Sequence, residues 1–439
     1  MAESAQAEPT TTAEAAAGAT TTASDLRGLR RTLVAFTYRD FRVLWFGACT
    51  SSVGTWMQSL AENWLVLSLT GSPLYLGLDA FLQQLPIMLF TLIGGVLADR
   101  LDRRRTLLTS QYIQTSTAAT LAILVYFGYV RVWHILTLSF ITGCAQAFGG
   151  PAYQSLIPSL VNKRDLTNAI ALNSIQFNVA RVLGPLFTGA TLAAFAARGF
   201  SDYGPEAMSA VFSLNALSYL VVIYALVSLH VKHMPPATTQ PMLEELRGGF
   251  RYVRQERTIP PLIVLAFATT FLGMPLMTLL PVFARDIFHS GVGLYSRLMA
   301  FSGVGAIAGS LIVAWLGRRK RLGALALVVQ MAFGLLIVVF AVTRVLWISY
   351  LLLFFTNVAL MVVFSTVTSL VQLIAPNEMR GRVMSIYMLA FRGGMPLGSL
   401  TSGYLAGTFG APPVLAVGGT LLMLVAGYFL ATNRGVREL

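Results

Sequence analysis

Apolar residues in this chain come in twelve long runs separated by short polar interruptions. The runs fall at about 42–69, 73–98, 106–128, 132–157, 169–196, 207–229, 260–284, 294–316, 322–343, 346–374, 383–409 and 412–432. Each is near or above the ~20 residues a helix needs to cross a hydrocarbon core about 30 Å thick. The pattern predicts an all-α integral membrane protein with twelve transmembrane helices. The longest polar interruption, 230–259, divides them six and six. Its second part, Met242 to Arg257, is amphipathic and suits a helix lying on the membrane surface. Residues 1–24 are rich in Ala and Thr, read as a disordered tail, and lack the basic start and apolar segment of a signal peptide. The expected parts are therefore a tail (1–24), a six-helix bundle (25–229), a linker (230–259) and a second six-helix bundle with a short tail (260–439).

A faint internal repeat supports this division. A displacement of 211 residues puts Arg181 on Arg392 and Pro185 on Pro396. A displacement of 215 puts Arg103–Arg105 on Arg318–Lys320 and Gly94 on Gly309. Two pseudo-symmetric bundles rocking around a central site are expected of such repeats. Ala314 stands where Asp99 would recur, so the charged loop of the first half is the stronger copy.

Composition narrows the class. Only 11% of residues are charged, against about 25% in soluble domains, and mean hydropathy is +0.69. The net charge of +13 would suit nucleic acid, but its placement does not. Of 31 Lys and Arg, 24 fall in loops and tails on one side of the predicted helices, and five fall on the other. That asymmetry is topological, puts both termini in the cytoplasm, and leaves no nucleic-acid partner. Lys163, Lys232 and Lys320 are the only lysines and none lies in a phosphate-binding loop, which argues against an ATP-driven pump. No Ser/His/Asp or metal-ligand constellation is present, so neither an enzyme nor a metal or other cofactor is expected. His134, His230, His233 and His289 all fall near loops and read as solvated interface residues.

The run GVLADRLDRRR, Gly95 to Arg105, is an abrupt charged turn between two membrane-length segments. Its acidic residues suit helix capping, and its arginines suit carbonyls at helix C-termini. The pattern G-x-L-A-D-R-x-x-R-R resembles the signature loop between helices 2 and 3 of the major facilitator superfamily. Gly95, Asp99, Arg100, Arg103 and Arg104 fall on its motif positions, while Asp102 replaces the usual second glycine. The resemblance implies a loop that helps hold one conformation closed on the cytoplasmic side. The stretch from Arg39 to Leu78, the run NAIALNSIQFNVARVLGP from Asn168 and the run PNEMRGRVMSIYMLAFRGGMPLGS from Pro376 are similar to one branch of that superfamily. It is the transmembrane secretion effector, or enterobactin exporter-like, branch, which also includes drug efflux proteins. The resemblance implies a monomer in the bacterial inner membrane that exports an amphipathic small molecule, such as a siderophore or a macrolide-like drug, by proton antiport. An importer, a lipid transporter or a non-transporting scaffold of the same fold stays open.

Ionisable groups inside a membrane cost about 3 kcal/mol each on insertion scales, so each needs a reason. Four lie deep within the runs, away from their ends: Glu62, Asp79, Arg181 and Arg392. Glu62 shares a helix face with Gln58, one turn away, and neighbours Asn63. It reads either as a carboxylate whose charge alternates as a cavity changes side, or as half of a static pair. Asp79 lies eight residues past the turn at Gly71 and Glu62 nine before it, so the two are expected at similar depth. They would share a proton or a cation there, unless Asp79 is simply hydrated at the rim. Arg181, with Asn178 nearby, and Arg392 hold equivalent places in the two halves. They read as an anion-attracting pair, for an acidic substrate or for Glu62, or as structural ties. Gly184-Pro185 resembles the core of the family's antiporter motif and permits a helix bend. Phe271, Met274, Met277, Asn357, Met361 and Phe364 suggest an adaptable apolar cavity, with Gln58 and Gln146 as polar contacts.

Overall fold

A computed structural model describes residues 33–100, 102–201, 204–229, 242–316 and 321–439, without the side chains of 91–100 and 242–247. The expected tail, most of the proline-bearing linker and the side chains of Gly95, Asp99 and Arg100 lie outside the described residues.

Every regular element among them is helical. The long helices are α1 (Arg39–Thr70), α2 (Pro73–Arg100), α3 (Arg103–Tyr126), α4 (Val132–Leu160), α5 (Leu166–Ala196) and α6 (Pro205–Val227), then α7 (Ile259–Ile287), α8 (Val292–Leu316), α9 (Leu322–Val342), α10 (Leu346–Ile374), α11 (Arg380–Phe409) and α12 (Ala411–Thr432). Their boundaries fall within a few residues of the apolar runs because punctuation and periodicity agree. Gly71 takes φ +64° and closes α1 through its N–H on Leu67 O, and Pro73 opens α2. Among the described residues, eight helices (α4–α10 and α12) are long and apolar enough to cross a membrane. Of the others, α1, α3 and α11 carry more polar sequence: α3, for example, begins RRRTLLTSQYIQTST.

Asp102 explains how the charged turn dispenses with a second glycine. It sits at φ −63°, open to any residue, and caps α3 by accepting from Arg105 N at 3.0 Å. Arg104 then closes α6, donating from Nε to Leu226 O and from Nη2 to Val227 O, each at 2.7 Å. These are the last carbonyls of the helix, Leu226 O otherwise meeting only backbone N–H groups of the cap such as Leu229 N at 3.4 Å, so Arg104→Gln is expected to cost about 2 kcal/mol, as for lost charge-assisted hydrogen bonds. Thermal unfolding of the detergent-purified variant, against exposed Arg105→Gln as control, reads that loss.

In α7 two π-helical turns, Thr269–Gly273 and Phe283–Ile287, flank the stretch holding Pro275 and Pro281. Each proline removes an N–H from the helical ladder. Gly398 of α11 lies against the Phe271 carbonyl that Pro275 leaves without its usual donor; a Cβ there would come within 2.2 Å of it.

The buried side chains show how the two sets of six helices meet. At the end of the molecule carrying the α1–α2 turn, one apolar cluster runs through both sets, from Leu60 and Leu67 to Leu276, Tyr295 and Phe340. At the basic end the clusters are separate. One holds Phe41, Leu44, Leu156 and Leu226, and the other Ile259, Leu370, Val383 and Val436. The helix Met242–Gln255 packs its Gly249 against Arg382 and Ile386 of α11, on the second set. Large apolar side chains such as Trp347, Tyr224 and Leu311 face outward on both sets, as lipid-facing residues do.

Candidate functional site

Inside the first six helices, polar side chains converge from five of them. Ser139 of α4 places its hydroxyl oxygen 2.6 Å from Glu62 Oε1 on α1 and 2.6 Å from Asp79 Oδ1 on α2. Both carboxyl groups are only 4% exposed. Gln58 donates to Glu62 Oε2 at 3.1 Å and accepts from Asn215 of α6 at 2.6 Å. Beside it, the Tyr219 hydroxyl of α6 contacts Thr55 at 3.0 Å and donates to Gln114 of α3 at 3.2 Å, where Gln146 also reaches at 3.5 Å. Small residues allow this convergence: a Cβ at Gly54 would fall 2.3 Å from Ser218 Oγ and 2.5 Å from Asn215 Oδ1.

The geometry restricts the charge. A serine hydroxyl has one proton to donate, so it satisfies one carboxylate and accepts from the other group only if that group is itself protonated. No arginine, lysine or histidine among the described residues pairs with either acid. Two buried negative charges on one hydroxyl would repel without compensation, and a shared proton removes that cost.

The arginines behave differently from one another. Arg181 of α5 donates to Asn357 Oδ1 of α10 at 2.8 Å and lies 5.7 Å from the centre of the Trp56 ring. It ties the two sets of helices. Pairing of either arginine with Glu62 is not what the fold makes: Gln58 and Ser139 occupy that carboxylate, and Asn357 takes Arg181. Arg392 is exposed, and none of its hydrogen bonds or ion pairs is to a described residue.

The remaining candidates divide. Asn63 reaches the second set, donating to the Tyr295 hydroxyl at 3.3 Å. Asn357 is fully buried and spends its amide on Arg181 and Leu353 O. Asn178 donates back to Ser174 O of its own helix. Phe271 stacks on Phe267, and Phe364 meets Phe391 at a 36° tilt with centroids 4.7 Å apart. Met274, Met277 and Met361 pack against the shared apolar cluster. Gly184 lets α5 approach α1, where a Cβ would meet that of Trp56 at 2.4 Å, and Pro185 O accepts from Ser296 of α8 at 2.5 Å. Pro185 thus lies within an unbroken helix, at a contact between the sets. Arg103 holds Ser155 O of α4 at 3.1 Å. Ser139, Asn215, Gln114 and Tyr219 were not among the residues the sequence singled out. Small polar residues are common in membrane helices, and the available signal was modest: Asn215 is the only carboxamide in the run 207–229.

Polar ties between the two sets gather at mid-depth and toward the α1–α2 turn. Arg285 at the end of α7 donates to Leu67 O at 3.0 Å and Gly71 O at 3.2 Å, beside Asp286. Asn63–Tyr295, Ser296–Pro185 and Arg181–Asn357 are the others among the described residues.

Two sets of long apolar helices, closed together at one end, make a fold seen in solved transporters. The chain overlays the inward-facing, occupied structure of a bacterial homolog to the human lysosomal transporter Spinster with TM-score 0.72. The overlay covers 91% of this chain and 98% of that one at 14% identity, a likeness of fold alone. The family described as transmembrane secretion effector matches residues 31–438, and the chain belongs to it, within the major facilitator superfamily. Relatives include a staphyloferrin A transporter of Staphylococcus aureus, 26% identical, covering 88% of this chain and 94% of that protein. A macrolide efflux protein A of Streptococcus pyogenes is 24% identical with the same coverage. The protein is an integral membrane transporter and not an enzyme.

Proposed function

We propose that this protein is a proton-coupled exporter of an amphipathic small molecule, working by alternating access. The observation that carries this reading is Ser139 set 2.6 Å from both Glu62 and Asp79 with no described cation to balance them. Such a pair holds at least one proton while it stays buried. Hydration from one side would let that proton leave, which couples a proton to a change of conformation. The twelve long helices then act as twelve spans in two six-helix bundles, with the basic loops and both termini cytoplasmic in a bacterial inner membrane, and the chain acts as a monomer. On that topology, the closed end faces outward and the separated cores face the cytoplasm. Siderophores and macrolides, the compounds named for its relatives, are the first candidates as substrate.

The test is transport by protein in liposomes carrying an imposed pH gradient, with a panel of siderophores, macrolides and other amphipathic compounds. Accumulation of one of them against its own gradient, lost when the pH gradient is collapsed, is the expected result. Transport unaffected by collapse would sink the proton-coupled reading.

A further inference from the structure

We propose that Arg392 of α11 and Gln84 of α2 form a subsite for an oxyanion, which makes acidic amphipaths the preferred class of solute. This deepens the proposed function and rests on it for the identification of the ligand as cargo. The placement follows from the register of two antiparallel helices. Toward the closed end, a Cβ at Gly77 of α2 would lie 2.3 Å from Ser399 O and 3.0 Å from Gly403 Cα of α11. Nearer mid-depth, a Cβ at Gly393 of α11 would lie 3.4 Å from Met88 Sδ of α2.

On a helix, positions seven and eleven apart share a face. Gly77, Gln84 and Met88 therefore form the stripe of α2 that meets α11. Arg392, Ser399 and Gly403 form the stripe of α11 that meets α2. Gln84 falls between the Gly77 and Met88 contacts, one turn from Met88, and Arg392 lies one residue before Gly393, so both border the Met88–Gly393 contact. Leu397 and Tyr404, the lipid-exposed residues of α11, lie on its far side.

Neither polar group has a partner among the described residues: Arg392 is exposed and Gln84 half-buried. Arg181, the counterpart of Arg392 in the repeat, donates to the Asn357 amide oxygen at 2.8 Å. An arginine at the centre of a membrane helix is costly, and one left with no such contact gains most from an incoming anion. Its planar guanidinium matches two oxygens of a carboxylate or phosphate, and the Gln84 amide adds a further donor. Phe391, next to it on α11, and its partner Phe364 of α10 offer an apolar surface for the rest of the solute.

The test is equilibrium binding to the full chain in phosphatidylcholine nanodiscs, with 1-naphthaleneacetate and 1-naphthylethylamine as matched probes of opposite charge. The acid is expected to bind more tightly than the amine. Arg392→Gln should weaken acid binding by roughly tenfold or more, the loss of a charge-assisted contact, and leave the amine unchanged or tighter. Gln84→Ala should weaken the acid by a smaller factor, and Arg392→Lys should retain part of the binding. Unchanged thermal unfolding without ligand shows that each variant is folded. Acid binding equal to wild type in Arg392→Gln, or an amine that binds as well as the acid, overturns the subsite. Nanodiscs of phosphatidylglycerol separate the sources of the oxyanion. If they block the acid in wild type, a lipid headgroup holds the site and the assignment of solute class fails. Binding needs no gradient, so the two readings fail separately. Acid binding without gradient-driven transport keeps the subsite and removes proton coupling, whereas transport of amines alone does the reverse.

Discussion

Glu62→Gln is expected to abolish pH-driven uphill efflux while leaving substrate binding within about threefold of wild type, since the change removes a proton site and no contact surface. A glutamine keeps the shape of the side chain and still meets Ser139 and Gln58, so the polar network stays filled. What it loses is the ability to take up and release a proton. Downhill exchange of substrate, which moves no net proton, should persist, and its rate should become independent of pH where that of the wild type is not. Asp79→Asn should behave alike, because both acids share one hydroxyl. Ser139→Ala removes the bridge but neither carboxyl group, and should slow coupled efflux without abolishing it. Counterflow and gradient-driven uptake in inverted vesicles separate these cases. Undiminished uphill efflux in both Glu62→Gln and Asp79→Asn would remove the acidic pair from the mechanism.

The second large effect is expected at Gly77, where the two sets of helices meet most closely. A side chain there runs into Ser399 O, Ser399 C and Gly403 Cα, all backbone atoms that move only if α11 moves. Overpacking of this kind costs about 1–3 kcal/mol. In Gly77→Val that cost falls on the conformation whose α1–α2 end is closed, and 1.4 kcal/mol is already tenfold in its population. A cysteine at position 63, in a chain lacking Cys49 and Cys144, should then react faster with an impermeant maleimide added from the outer side. Gly305→Val is the control, since its Cβ would press on Phe354 O within the second set. It should lower thermal stability without raising that labelling. Equal labelling in Gly77→Val and its parent would mean that the seam does not part during transport.

Much of the architecture was readable in the chain. The lengths of the apolar runs and the turns between them placed the long helices to within a few residues, because helix formation in lipid depends on local composition and on backbone groups bonded within the segment. The arginines of the charged turn were legible as carbonyl binders, and Arg104 holds the end of α6. Asp102 was legible as a departure from the family pattern, and its role as the cap of α3 follows from its own side chain.

The site was legible only in outline. Burial cost alone marked Glu62, Asp79, Arg181 and Arg392 as residues that need an explanation. Which partner each one finds is a matter of register between helices. Ser139 lies 77 residues from Glu62, and Asn357 lies 176 from Arg181. Small residues such as Gly54, Gly77 and Gly184 set those registers by allowing backbones to touch, and nothing in the local pattern says which neighbour each will meet. Composition and periodicity therefore established a basic-sided, all-helical membrane protein with four costly charges. Packing between helices distant in sequence settled that the acids share a serine and that Arg181 binds an amide. Periodicity is a property of neighbouring residues, whereas these pairings arise only once whole helices have found their depth and their mates.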